Sequence, residues 1–166
     1  MQGDMIEIVG STYEILARLA AALGGGIVLG VNRDLRGKPA GVRTHGLVAL
    51  GACLVTLITM ELSFTVGGFN PDAVSRAIQG IITGIGFLGG GVILKLPTAR
   101  TVQGLTTAAS IWVTACLGIA FGAGMWRTAL LALGLTFLIL MIGGPVEDLA
   151  SRVFKGRERP EGWERE

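Results

Sequence analysis

The groups able to do chemistry are few, and most stand singly in apolar surroundings. Glu14 and Arg18 are four residues apart, which places them on one helix face with the acid first, the favourable order. Asp72 and Arg76 repeat that arrangement, and Glu61 stands near the end of another apolar run. Ionisable groups within apolar segments are costly and are usually paired or functional. If these helices bundle, Arg18, Glu61, Asp72 and Arg76 meet at one membrane face. The plainer reading is anchoring by side chains that snorkel to the interface. The sharper one is a polar pocket, in which carboxylates, carbonyls and water suit a hard cation such as Mg²⁺. His45 is the sole histidine, and it has no Cys or His at metal-ligand spacing. Its expected role is hydrogen bonding near the membrane interface. No Ser/His/Asp set, catalytic carboxylate pair or phosphate loop is present, so no enzyme active site is expected and no cofactor is called for.

Glycine and hydroxyl spacing carry more information. Gly84-Ile-Gly-Phe-Leu-Gly89 matches the dinucleotide-binding pattern, but it lies inside an apolar stretch with no acidic residue between Asp72 and Glu147. Sterics explain the glycines better. Gly26 and Gly30, Gly80 and Gly84, Gly86 and Gly90, and Gly118 and Gly122 are each four apart. Such pairs flatten one helix face and let another backbone come close. The run Gly89-Gly90-Gly91 offers a second reading, a helix interrupted at membrane depth beside a cavity. Thr107, Ser110 and Thr114 share a face by their spacing, and hydroxyls in lipid commonly bond back to their own helix. Gln79 is expected to pair with Arg76 or with one of these hydroxyls.

The elements that position these groups follow from composition. Of 166 residues 51% are apolar and only 16% charged, with 27 glycines; the mean hydropathy is +0.63. That balance argues for a bilayer as solvent. A net charge of +2 gives no case for nucleic acid. Cys53 and Cys116 lie in apolar runs and read as small fillers. Apolar stretches near 20 residues match a hydrocarbon core of about 30 Å. They predict an all-α, five-helix transmembrane bundle with spans at about 15–31, 46–66, 77–94, 105–123 and 129–146. Asn70-Pro71-Asp72 is a helix start, with proline near the first turn and an acid favourable to the dipole. The first span is not expected to be a cleaved leader, because it is preceded by Asp4 and Glu7 rather than by positive charge.

Eleven of the fourteen basic residues fall in the loops at 32–45 and 95–100 and in the charged tail at 147–166. Five spans put these segments on one side, which the positive-inside rule makes cytoplasmic, with the N-terminus outside. The expectation is a multi-pass protein of a bacterial inner membrane.

Three segments, taken together and in order, resemble the MgtC/SapB family: Arg36-Gly-Lys-Pro-Ala-Gly-Val-Arg-Thr-His45, the stretch from Ser75 to Gly91, and Val102 to Cys116. The resemblance covers about Arg18 to Gly124. It implies a five-span membrane domain linked to growth under magnesium limitation and, in intracellular pathogens, to virulence. It also implies a regulator acting on membrane partners, the proton-translocating ATP synthase among them, rather than an established Mg²⁺ transporter. Carried over by matching position, the functional candidates are Arg43, Thr44 and His45, then Asp72, Arg76 and Gln79, then Thr106, Thr107 and Trp112. Two departures stand out. Asn32-Arg33 replaces the Glu-Arg pair of many relatives, and the soluble C-terminal domain of many relatives is lacking, so the chain reads as the short, membrane-only form. The expected function is a non-enzymatic regulator that works through helix contacts with other membrane proteins or a second copy. The alternative is a small cation transporter or channel subunit.

Overall fold

The computed structural model describes residues 11–65, 68–93 and 103–154. Five long helices account for most of them: α1 (Thr12–Leu35), α2 (Val42–Leu62), α3 (Pro71–Val92), α4 (Leu105–Gly122) and α5 (Trp126–Phe154). A two-stranded antiparallel hairpin, β1 (Phe64–Thr65) and β2 (Gly68–Phe69), joins α2 to α3 and pairs Phe64 with Phe69.

Helices α1, α2, α4 and α5 up to Val146 are long and apolar enough to cross a bilayer. In α3, six glycines together with Ser75, Arg76 and Gln79 dilute the apolar content. Topology nevertheless brings α3 back along the bundle. The start of α4 lies beside the end of α1, where Arg33 bonds Thr107, and its other end lies beside Arg18. Helix α2 runs away from α1's end and finishes at Ser63, so the chain must return the full length of the bundle before α4 can begin. The 22 residues of α3 provide roughly 33 Å at 1.5 Å each. Its start is as the sequence suggests: the Asn70 side chain accepts from the Asp72 N–H at 3.1 Å, with Pro71 in the first turn.

Helix α4 touches every other helix, and with α1 and α2 it forms the tight centre of the bundle. Glycines set that spacing. A Cβ added at Gly26 would lie 2.5 Å from the His45 carbonyl oxygen, and one at Gly30 would lie 2.5 Å from Val42 Cα. One at Gly122 would lie 2.7 Å from the Cys53 oxygen, and one at Gly118 would run into the Ala49 carbonyl. The α2 side of these contacts is built from small buried residues, Ala49, Ala52, Cys53 and Thr56. Leu29, Leu57, Leu117 and Phe121 fill the space between the three helices. Helix α5 packs outside α1 and α4, and α3 packs outside α4 and α2. The outward sides carry large apolar residues such as Leu130, Leu131, Leu135 and Ile139, as a lipid-facing surface does.

Three expectations are corrected. Helix α3 is unbroken across Gly89–Gly91 and ends at Val92, where the Ile93 N–H still bonds the Gly89 carbonyl at 3.2 Å. Helix α5 runs on through Gly143-Gly144-Pro145 to Phe154, beyond the span end expected at about 146. Helix α1 likewise continues past Val31 to Leu35, so Asn32-Arg33-Asp34 is helix and not loop. The basic loop at 95–100 and the tail from residue 155 lie outside the described residues.

Candidate functional site

The densest polar group in the bundle lies between α1, α2 and α4. Arg33 is 3% exposed, and its Nη2 donates to Thr107 Oγ1 at 2.6 Å. One turn further along α4, Ser110 Oγ sits 3.1 Å from His45 Nε2. His45 is fully buried, and its Nδ1 lies 3.0 Å from the Gly41 carbonyl. A carbonyl only accepts, so Nδ1 carries a proton and donates to Gly41, while Nε2 lies within hydrogen-bond distance of the Ser110 hydroxyl. That hydroxyl donates to the Thr107 carbonyl at 2.8 Å, and the Thr114 hydroxyl donates to the Ser110 carbonyl at 2.8 Å. Three helices are thus tied by side-chain hydrogen bonds at a level where the alternative partner is lipid.

Local sequence explains the construction. Gly26, Gly30 and Arg33 follow a 4-then-3 spacing, so the glycine face that admits α2 also carries the arginine inward. Thr107, Ser110 and Thr114 project from one face of α4 by a 3-then-4 spacing and are all buried. The connection from α1 to α2 is rigid. Gly37, at φ +65°, closes α1 while the Lys38 N–H bonds the Arg33 carbonyl and the Gly37 N–H bonds the Asp34 carbonyl, the double closure of a Schellman motif. Gly41 has no side chain to cap α2; Asp34 does so instead, its Oδ2 accepting from the Val42 N–H at 3.0 Å. A Cβ at Gly41 would overlap the Asp34 carboxylate.

The sequence candidates are scattered by the fold. His45 and Thr107 come together in this cluster. Thr44 is half-buried one residue away, while Arg43, Thr106 and Trp112 are exposed. Asp72, Arg76 and Gln79 are exposed on the opposite half of α3. Gln79 pairs with neither Arg76 nor an α4 hydroxyl, because its Nε2 reaches Ser75 Oγ at 3.5 Å. Among the described residues no ion pair links Arg18, Glu61, Asp72 and Arg76 to one another. Arg18 bonds Glu14 at 2.8 Å and donates to the Gly122 carbonyl at 3.0 Å, while Trp126 Nε1 reaches the same Glu14 oxygen at 3.4 Å. The Glu14–Arg18 pair is therefore formed, and it fastens the end of α4 to α1. No comparable ion pair joins Asp72 to Arg76 among the described residues. Among the described residues no three or more His, Cys, Asp or Glu cluster in a way that could hold a metal ion. Cys53 and Cys116 are free thiols.

Sequence reasoning missed Arg33 and Asp34, treating both as loop. The usable signal was the position of Arg33 on the Gly26–Gly30 face.

The glycines on α3 differ from the others. A Cβ at Gly80, Gly84, Gly86 or Gly90 would meet nothing within 4 Å. Gly80 and Gly84 border an open apolar groove of about 380 Å³ between α2 and α3, lined also by Leu47, Gly51, Ile81 and Leu88.

Comparison with known proteins agrees with this architecture. The model of the MgtC family matches residues 19–149. Over 133 residues the chain is 42% identical to protein SrpB of Synechococcus elongatus, covering 76% of this chain and 72% of that one. It is 37% identical over 136 residues to the "Putative magnesium transporter YhiD" of Escherichia coli K12, covering 79% and 61%. It is 36% identical over 141 residues to protein MgtC of Salmonella typhimurium LT2, covering 85% and 56%. The chain thus spans less than two thirds of the length of YhiD and of MgtC. No solved structure matches it. With a match across most of its length and a bundle of apolar helices to carry it, the chain belongs to the MgtC family of membrane proteins.

Proposed function

We propose that this protein is a non-enzymatic regulator of the bacterial inner membrane that acts through helix contacts with other membrane proteins during adaptation to magnesium limitation. One observation supports the reading above the others: Gly80 and Gly84 of α3 border an open apolar groove beside α2 and lie against no neighbouring backbone. Between helices in lipid there is little hydrophobic drive, so association depends on close backbone approach and van der Waals contact. A face of that kind suits a partner helix. In this reading the N-terminus is outside, and the Arg33 end of the bundle, with its basic loop, is cytoplasmic. Resemblance to the family makes the ATP synthase a candidate partner, and some relatives act in virulence.

The name of YhiD favours a second reading, a small magnesium transporter or channel subunit. Purified protein in liposomes separates the two. The regulator predicts no saturable Mg²⁺ flux above protein-free vesicles, together with a membrane complex that co-purifies from magnesium-starved cells. Saturable flux would overturn it in favour of transport.

A further inference from the structure

Pro145 lies inside α5. Proline has no N–H, so the carbonyl four residues earlier loses its helical donor, and the ring presses against that carbonyl. The residue is Met141. An unsatisfied carbonyl at membrane depth costs several kcal/mol and needs a donor from elsewhere. The structure supplies one from a distant part of the chain: Arg36 Nη2 donates to the Met141 oxygen at 2.9 Å. The guanidinium also lies beside Gly144, with Nη1 3.7 Å from where a Cβ would stand.

Arg36 is held where it must be. It is the residue that ends α1, and its own N–H bonds the Arg33 carbonyl at 3.1 Å. The Schellman closure at Gly37 and Lys38 fixes the backbone behind it, and Asp34 fixes the start of α2 in front. From these observations we propose that Arg36 is a latch. It bonds the carbonyl opened by Pro145 and thereby sets the direction in which the last part of α5, from Val146 to Phe154, leaves the bundle. A rigid loop that already holds α1, α2 and the buried Arg33 cluster is thus coupled to the end of the chain, and a partner that displaced Arg36 would free that end. Arg36 acts here as a positioning residue, separate from the α3 groove.

The test is a double-mutant cycle read by amide hydrogen exchange on the full chain in nanodiscs. Loss of a hydrogen bond from a charged donor is expected to speed exchange over residues 146–154 about tenfold in Arg36→Gln. Pro145→Ala restores an N–H that can bond Met141 within the helix. In that background Arg36→Gln should change exchange by less than about twofold, because the carbonyl no longer needs the guanidinium. Equal effects of Arg36→Gln in the two backgrounds would overturn the latch, since the arginine would then act through something other than the proline-opened carbonyl. No effect in either background would overturn it as well.

Discussion

Two parts of the bundle carry the same glycine spacing and use it differently. In α1 and α4, Gly26, Gly30, Gly118 and Gly122 lie against the backbone of α2, so close that any side chain would collide. In α3, Gly80, Gly84, Gly86 and Gly90 look onto open space. Helix α3 buries only Ile85 and Gly89, whereas α4 buries half of its length. Four-residue spacing therefore marks a helix that can be approached closely, and the fold decides whether the approach comes from within the chain or is left for a partner. The polar groups follow the same division. Arg33, His45, Thr107 and Ser110 are sealed among α1, α2 and α4, while Asp72, Arg76 and Gln79 are exposed on the outer helix.

The largest effect expected on the closed side is from Gly118→Leu. The new side chain would run into the Ala49 carbonyl and Ala52 Cβ, which the α2 backbone cannot vacate. Overpacking against backbone should exceed the usual 1–3 kcal/mol for an overfilled core, so little folded protein is expected by size-exclusion chromatography. Normal yield and melting temperature would remove the tight α2–α4 contact from the account.

A smaller loss is expected from Thr107→Val, which keeps the shape and removes the acceptor of the Arg33 bond. Hydrogen bonds to charged groups contribute about 1.5–3 kcal/mol in water, and interhelical bonds in membranes average less. A drop of about 1–2 kcal/mol in steric-trapping or denaturant unfolding is the expected result. Ser110→Ala should cost less, about 0.5–1.5 kcal/mol, because His45 keeps its Gly41 bond and loses one neutral partner. If Ser110→Ala proved more damaging than Thr107→Val, the cluster would centre on the histidine and not on the arginine.

Much of this bundle was legible because the bilayer imposes one length and one composition on any helix that crosses it. The apolar runs, the Asn70-Pro71-Asp72 helix start and the Glu14–Arg18 pair could all be read from residue types at short spacing. The back-bonded hydroxyls of Thr114 and Thr56 follow the same local logic. What was not legible depends on distant partners. Arg33 looks like a loop residue until the 4-then-3 spacing with Gly26 and Gly30 is followed inward. Gly143-Gly144-Pro145 looks like a helix stop, yet α5 passes through it with Arg36 beside the freed carbonyl, 105 residues away in sequence. The bonds of Arg18 across the bundle were not legible either, because the Gly122 carbonyl it reaches is 104 residues away in sequence.

The measurement that bears most directly on the contrast between the two glycine sets is association of Gly84→Leu in a native-like bilayer. With a single leucine on the open face of α3, the isolated bundle should keep its melting temperature, because nothing within 4 Å is displaced. Cross-linking in membranes should capture a partner or second copy with the unaltered chain and fail to do so with the variant, because the closely approachable backbone is covered. The opposite pair of results, a destabilised bundle with association intact, would contradict the account and return the α3 glycines to packing within the chain.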